Sequence, residues 1–542
     1  MQRPTPRCAR LADCLIVLAR LRTSAVTTAL LNRRSTFDAA ADCYQGAPPP
    51  FHPWKYHYYF KEVKTMKQSI YNTVEEKAKV ITDLSDKIWG FAEISMEEFQ
   101  STDAYVEVMK SEGFEVETNL CGIKTAFLGR YGTEKPVIGI LGEFDALSGL
   151  SQVAGATGRQ WLCEGGNGHG CGHNLLGAAS LGAAIAVKKE IEKGNLKGSV
   201  VFYGCPGEDG CAGMAFMARD GMFRDLDAAL CWHPGDVNEV TTGSNAASLQ
   251  YEYTFTGLTA HAAGDPQNGR SALDAAELMN VGVNFLREHM PKKCCLHYSF
   301  LDAGGISPNV VQPTAKMMYM VRGENVTEAK KLLARVHKVA QGAALMTETN
   351  VEWKQIDGTA STLSNHALEE AIYANLCSAP LPTFTKEEEE FAAAIKSTFV
   401  TETMPSDGAQ LNWQIKQFVA EKTNGGTIPL NNFVVPYNPS DYFAQGSTDV
   451  GDVSWVTPTA QFTATTWASG NPGHSWQNVA MGKSSVAHKG VLFAAKVLAA
   501  TAADIMTKPE ILEKAKAEFA VSAAAGYDCP IGPEVKAPHA DE

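Results

Sequence analysis

Val137-Ile-Gly-Ile-Leu-Gly-Glu-Phe-Asp-Ala-Leu147 decides the fold. The short apolar run Val137–Leu141 reads as a buried strand, and two carboxylates, Glu143 and Asp145, follow it at once. The same grammar recurs outward along the chain. Lys124–Leu128, Ser199–Tyr203 and Ala228–Trp232 are further short apolar runs, and between them lie helical stretches such as Leu175–Ile191, whose Gly-Ala-rich face suits close packing on a sheet. Strands alternating with helices predict an α/β domain with a largely parallel sheet.

In an open sheet of that kind, ligands collect at the carboxyl ends of the strands. Ser199–Tyr203 is followed by Glu208 and Asp209, Ala228–Trp232 by His233, and the last apolar run, Val453–Ala468, by His474. The glycine-rich loop Gly165–Gly172 delivers His169, Cys171 and His173 just ahead of a helix. Carboxylate, imidazole and thiolate are the groups that present lone pairs to a divalent ion. Taken singly, each has an ordinary reading. A histidine after a strand is usually a surface or satisfied core residue, Glu208-Asp209 suits a helix N-terminus, Asp145 a turn and Cys171 a small buried hydrophobe. Taken together, five separate segments place such residues where one sheet gathers them, and the expectation is a metal centre.

Elsewhere, Thr73-Val-Glu-Glu76 has the form of a capping box and predicts a helix starting there, with Val74, Ala78, Ile81, Leu84 and Ile88 at helical spacing. A second helix is predicted from about Thr102. Between residues 247 and 356 the pattern changes: Gln250–Phe255 and Ala315–Met320 alternate with period two, while Ser271–His289 and Thr327–Leu345 are helical. That is the order β-α-β-β-α of a small α+β insertion. The expected organisation is an N-terminal extension (1–65), a catalytic domain in two parts (66–246 and 357–520) split by the insertion (247–356), and a C-terminal tail (521–542).

With 542 residues, 45% hydrophobic and 20% charged, the chain has an ordinary globular composition and is long enough for two cores. Residues 1–34 hold seven Arg and one acid, or +6, so the remaining 508 carry -13 - 6 = -19. An acidic body repels phosphate backbones and anionic lipid, so neither nucleic acid nor a membrane is the expected partner. No stretch approaches the twenty or so uninterrupted apolar residues of a membrane span. The thirteen cysteines follow no disulfide or paired C-x-x-C pattern, which reads as a reducing compartment, the cytoplasm. The Arg-rich, acid-poor start suits equally a mitochondrial transit peptide or an upstream extension before Met66.

Gly142-Glu-Phe-Asp-Ala-Leu147, His169-Gly-Cys-Gly-His-Asn174, Cys205-Pro-Gly-Glu-Asp209, Trp232-His-Pro234 and Pro472-Gly-His-Ser-Trp476 follow one another in order. The chain thereby resembles the aminoacylase/carboxypeptidase metallopeptidase family from about Met66 onward, and within it the branch formed by the B-type subunits of aminobenzoyl-glutamate hydrolase, beside the auxin-conjugate hydrolases. The resemblance implies a phosphorylase/hydrolase-like two-metal α/β peptidase domain with an inserted α+β, ferredoxin-like dimerisation or lid domain. It implies two divalent metals, zinc or manganese, held by Cys171, His173, Asp209, His233 and His474, one of these groups bridging. Glu208 is then the general base for a metal-activated water that attacks an amide carbonyl, and Asp145, with Glu143, stands behind the ligands and fixes an imidazole.

In the insertion, Thr259-Ala-His261-Ala, Gly269-Arg270-Ser271 and Ser307-Pro-Asn309-Val-Val resemble the family's lid. The resemblance places His261 as an oxyanion donor, often reaching across a dimer, and Asn309 as a substrate-binding residue. Arg270 or Arg322 would supply the cation for a carboxylate-bearing amino-acid half. The implied substrate is an N-acyl amino acid or dipeptide-like amide of the aminobenzoyl-glutamate type, turned over by a homodimer or by a hetero-oligomer with a related chain. Two positions depart from the auxin-conjugate branch, which has Glu at Asp209 and commonly Asp at Asn174. Asp449, in Gly446-Ser-Thr-Asp-Val-Gly451, also resembles the hydrolase branch, and as a loop acid it is expected to be solvated. The alternatives are a non-catalytic relative with a structural or regulatory role in such an assembly, and a cysteine hydrolase using Cys171 with His173.

Overall fold

Ile140 lies near the middle of a sheet of seven strands. The computed structural model describes residues 53–401, 405–406 and 412–539; the expectations for residues 1–52, transit peptide or extension, lie outside the described residues. Three helices, α1 (Pro53–Glu76), α2 (Ala78–Phe91) and α3 (Phe99–Ser111), lead into β1 (Glu115–Thr118), β2 (Phe127–Tyr131) and β3 (Val137–Glu143). Then come α4 (His173–Glu192), β4 (Ser199–Cys205), the short helices α5 (Glu208–Cys211) and α6 (Gly213–Arg219), β5 (Ala228–Gly235), β6 (Glu239–Thr241) and the two-residue β7 (Ser244–Asn245). The next stretch runs β8 (Ala247–Thr256), α7 (Ala272–Leu286), β9 (Cys295–Asp302), β10 (Thr314–Gly323), α8 (Val326–Thr347) and β11 (Asn350–Thr359), and β12 (Phe443–Ala444) and β13 (Thr459–Thr465) complete the strands among the described residues.

The large sheet has the order β1-β2-β4-β3-β5-β13-β6. Its four central strands are mutually parallel and its edges antiparallel. Parallel strands end on one side, so the register aligns Glu143 with Cys205, and Thr465 with Gly235, along a single rim. β3 and β4 are buried throughout, which is why they read as continuous apolar runs. α4 is buried almost all round, as a core helix that is apolar on every face must be. Its glycines set the approach: a Cβ on Gly177 would come 2.7 Å from the Glu143 carbonyl oxygen. The helix Ser485–Thr507 packs beside α4; it is long and apolar enough to cross a membrane, but 83% of its most apolar window is buried in this core.

The four-stranded sheet has the order β11-β8-β10-β9, every pair antiparallel. Numbered along the insertion, that is 4-1-3-2, the split β-α-β arrangement. One face packs on α7 and α8 in a core of its own, with Tyr253, Tyr319 and Val321 against Met279, Val283 and Val336. The expected order lacks β11, an edge strand in which Val351 and Trp353 alternate with exposed Asn350, Glu352 and Lys354; the expected boundary at residue 356 falls inside it, where the alternation breaks.

Three local expectations are corrected. Thr73 lies inside α1, its hydroxyl donating to the Ser69 carbonyl at 3.0 Å, because the chain is already helical from Pro53 and leaves no free N–H groups for a cap. The next helix starts at Phe99 rather than Thr102. The run Lys124–Leu128 enters a turn, Ala126 N–H donating to the Ile123 carbonyl at 3.1 Å, before pairing begins at Phe127.

Candidate metal centre

Five stretches converge on the rim. β3 ends at Glu143 and turns through Asp145, the glycine loop brings Cys171 and His173 to the start of α4, and the turn after β4 brings Glu208 and Asp209. β5 carries His233, and the loop beyond β13 carries His474. Gly172 and Gly207, directly ahead of His173 and Glu208, sit at φ 87° and 73°, which an L side chain resists. A Cβ on Gly172 would also lie 2.6 Å from the Trp467 ring. His474 itself is held at φ 48°, a conformation that costs an L residue about 1–2 kcal/mol and that tends to mark functional positions.

Hydrogen bonds fix the two inner imidazoles. His173 Nδ1–H donates to Asp145 Oδ1 at 2.8 Å, and His233 Nδ1–H to the Pro234 carbonyl at 2.8 Å. Each ring thereby turns its Nε2 inward. Cys171 Sγ lies 3.4 Å from His233 Nε2. Glu143 Oε2 is 3.2 Å and Glu208 Oε2 3.8 Å from His173 Nε2. Asp209 Oδ1 is 3.4 Å from His474 Nε2. Asp145 acts as the strut, accepting also from the Ser95 hydroxyl at 2.8 Å and from Asp209 N–H at 3.0 Å.

The donor atoms of Cys171, His173 and His233 lie within 4.8 Å of one another, as do those of Cys171, Asp209 and His474, so Cys171 belongs to both triads. Glu143 Oε2, His173 Nε2 and Asp209 Oδ2 are buried without a hydrogen-bond partner, an arrangement costly unless something else satisfies them. The charges say the same. Burial, then repulsion from Asp209, pushes Glu208 up to about 8, and burial with neighbouring Asp145 and Glu143 pushes Asp209 up to about 7 against the pull of His173. Burial and the charge on His173 push His233 down to about 4. Carboxyls that resist ionising together and an imidazole that resists protonation are what a divalent cation relieves, so the residues present fit such an ion.

A cavity of about 360 Å³ opens over the cluster. Cys171, Glu208, Asp209, His233 and His474 line it from below, and Ser248, Gln250, Arg322, Asp357 and Thr359 from the four-stranded sheet.

Residues 145–409 match the profile of peptidase family M20/M25/M40. Over 477 residues, 86% of this chain and 98% of the relative, the chain is 42% identical to the B-type subunit of p-aminobenzoyl-glutamate hydrolase from Escherichia coli (strain K12). This chain belongs to peptidase family M20. As a member of that family it is a hydrolase acting on amides. It is also 26% identical to the Xaa-Arg dipeptidase of Mus musculus over 473 residues, 84% of this chain and 93% of that protein. Among solved structures, an aminobenzoyl-glutamate utilization protein from Klebsiella pneumoniae shares the fold with a TM-score of 0.52 at 16% identity, covering 79% of this chain and 96% of that one.

Not every anticipated residue joins this M20 site. Arg322 does. Arg270 does not line the cavity: it pairs with Glu348 at 2.9 Å and donates to the Gly269 carbonyl at 2.7 Å, so its guanidinium is already occupied by its own loop. His261 and Asn309 are exposed and also lie off the cavity lining. His169 is a packing neighbour, its Nε2–H donating to the Ile88 carbonyl at 3.0 Å. Asn174 ties to the Ser85 hydroxyl at 3.0 Å and carries no charge role. Asp449 is fully buried rather than solvated, accepting from Met214 N–H at 2.8 Å, and burial with repulsion from Glu208 and Glu143 holds its carboxyl well above the usual range. Glu98 is a residue that sequence reasoning missed: buried, it accepts from the N–H groups of Met96 and Gly207 at 2.9 Å each and so fixes the turn that presents Glu208. Nothing in the local pattern around Glu98 announces that role.

Proposed function

We propose that this chain hydrolyses the amide bond of an N-acyl amino acid or dipeptide-like substrate of the aminobenzoyl-glutamate type. The observation that carries the reading is the group of inward-facing, partnerless donor atoms on His173, Asp209 and Glu143 with Glu208 beside them. Cys171, His173, Asp209, His233 and His474 would hold two divalent ions; mixed sulfur, nitrogen and oxygen donors favour zinc over manganese. When bound, such ions polarise the carbonyl and ease ionisation of the attacking water. Glu208 takes the proton of that water and passes it to the leaving nitrogen. Asp145 keeps His173 in the tautomer that offers Nε2, and Glu143 stands beside that Nε2 on the inner side of the ring. Arg322, in the cavity roof, takes the carboxylate of the amino-acid half.

His261 and Asn309 are assigned to the site of a second copy or of a related chain. His261 Nδ1 accepts from the N–H groups of Ala263 and Gly264 at 3.2 and 3.0 Å, so Nε2 keeps its proton and can donate to an oxyanion. The edge strand β9 exposes Phe300 and Leu301, and α7 exposes Val281 and Phe285, apolar area suited to association through the insertion. The A-type subunit of the same Escherichia coli hydrolase is a further relative, 29% identical over 240 residues. The ten cysteines of the described residues are free thiols, which suits a reducing compartment such as the cytoplasm. A cysteine hydrolase is disfavoured, since burial pushes the Cys171 thiol up to about 12, opposite to an activated nucleophile.

Replacing Glu208 by Gln is expected to leave the metal content intact while kcat falls about 10²–10⁴-fold. Turnover retained in that variant would overturn the assignment of the base.

A further inference from the structure

The cavity roof is written in strand register. Arg322 of β10 pairs with Ser248 of β8 and Ser248 with Thr359 of β11; one step along, Met320 pairs with Gln250 and Gln250 with Asp357. These side chains alternate with the core residues Leu249 and Val321, so they point away from α7 and α8 and into the cavity.

Asp357 reaches that face through an irregularity. The pairing of β11 with β8 slips between Gln355 and Asp357, with Ile356 as the extra residue. In an unbroken ladder Ile356 would stand opposite Gln250 and Asp357 would turn toward the helices, because a one-residue shift moves a side chain to the other face. The bulge therefore trades an apolar roof residue for an acid.

That acid is buried, 5% exposed, and among the described residues none donates a hydrogen bond to its carboxylate. Arg322 attracts it without touching it, its guanidinium donating instead to the Ser447 hydroxyl. The two stand two strands apart and two residues along, roughly 12 Å between backbones at about 4.8 Å per strand and about 3.3 Å per residue. A buried carboxylate lacking donors is destabilising, and its only open side is the cavity that holds the substrate.

We propose that Asp357 is a specificity-determining residue: it accepts a hydrogen bond from an amino or other N–H group on the substrate, at the end remote from the carboxylate held by Arg322. The cavity then selects amides whose two ends are a carboxylate and an N–H donor. This rests on the amide-hydrolase reading of the same site. An aminobenzoyl group offers such a donor in its ring amine, and a benzoyl group of nearly the same size does not.

The test is the ratio of kcat/KM for 4-aminobenzoyl-glutamate over benzoyl-glutamate, compared between the wild type and Asp357→Ala, so that the electronic effect of the ring amine cancels. One hydrogen bond to a charged acceptor predicts a fall of about tenfold or more in that ratio, with melting temperature and metal content kept. Asp357→Asn, which keeps one acceptor oxygen, should give an intermediate ratio and carries the test if the alanine variant does not fold. A ratio unchanged in the variants, both substrates slowing alike, overturns the proposal. If the wild type hydrolyses neither compound, the amide-hydrolase reading of this substrate class fails instead, and calorimetric affinities of the two compounds for the wild type and variants replace the rates: equal preference throughout overturns the role of Asp357.

Discussion

The two sheets of this protein meet one cavity with different parts of themselves. The seven-stranded sheet is covered on both faces and can offer only the ends of its strands, where Glu143, Glu208, Asp209 and His233 gather. The four-stranded sheet buries one face under α7 and α8 and offers the other, where Arg322, Ser248 and Asp357 lie in rows. Strand ends bring side chains to a point, which is what an ion needs. A sheet face spreads them over an area, which is what an extended organic molecule needs. The floor should therefore govern metal and chemistry, and the roof should govern substrate preference.

The largest expected effect that would contradict this division is in the roof. Arg322→Ala should lower kcat/KM for carboxylate-bearing amides about 10- to 100-fold, mostly through KM, since a hydrogen bond to a charged group contributes about 1.5–3 kcal/mol. Metal content measured by emission spectroscopy should not change; a parallel loss of metal would mean that the roof also builds the floor. In the floor, Asp145→Asn should weaken metal binding about 10- to 100-fold in a chelator competition, while KM in the metal-saturated enzyme stays within about twofold of the wild type. Undiminished affinity would show that His173 keeps its orientation without Asp145.

The smallest effect concerns the metal-free protein. Glu208 and Asp209 are raised in the folded state to about 8 and about 7, above their unfolded values, so between those limits these two groups bind more protons in the folded chain than in the unfolded one. Stability from these groups is present at low pH and is lost as pH rises through about 7 and 8. The melting temperature of metal-stripped protein, followed by scanning fluorimetry, should drop by a few degrees between about pH 5.5 and 8, and the metal-loaded protein should lack that slope. Parallel curves for the two forms would count against a cation among these carboxyls.

The floor was legible in the sequence because each ligand-type residue follows an apolar run or a glycine turn, and parallel topology does the rest: Cys171, His173, Asp209 and His233 needed no knowledge of distant pairing to be singled out. The roof was not legible in the same way. Asp357 depends on a bulge, and the value of Ser248 and Gln250 depends on which residues they face across two strands. Asp449 and Glu98 look like loop acids until the chain closes over them, and Arg270 looks as available as Arg322 until Glu348 meets it. The capping box at Thr73 shows the converse, a correct local motif overruled by a helix that had already begun upstream.

The bulge in β11 has a consequence for how such a protein can change over generations. Loss of the single residue Asp357 would restore a continuous ladder and set the apolar Ile356 opposite Gln250 in its place, leaving every other roof residue on β8 and β10 where it is. Substrate preference in this scaffold is thus open to alteration by length, one codon gained or lost in an edge strand, with no substitution near the metal ligands and no cost to the hydrolytic machinery beneath.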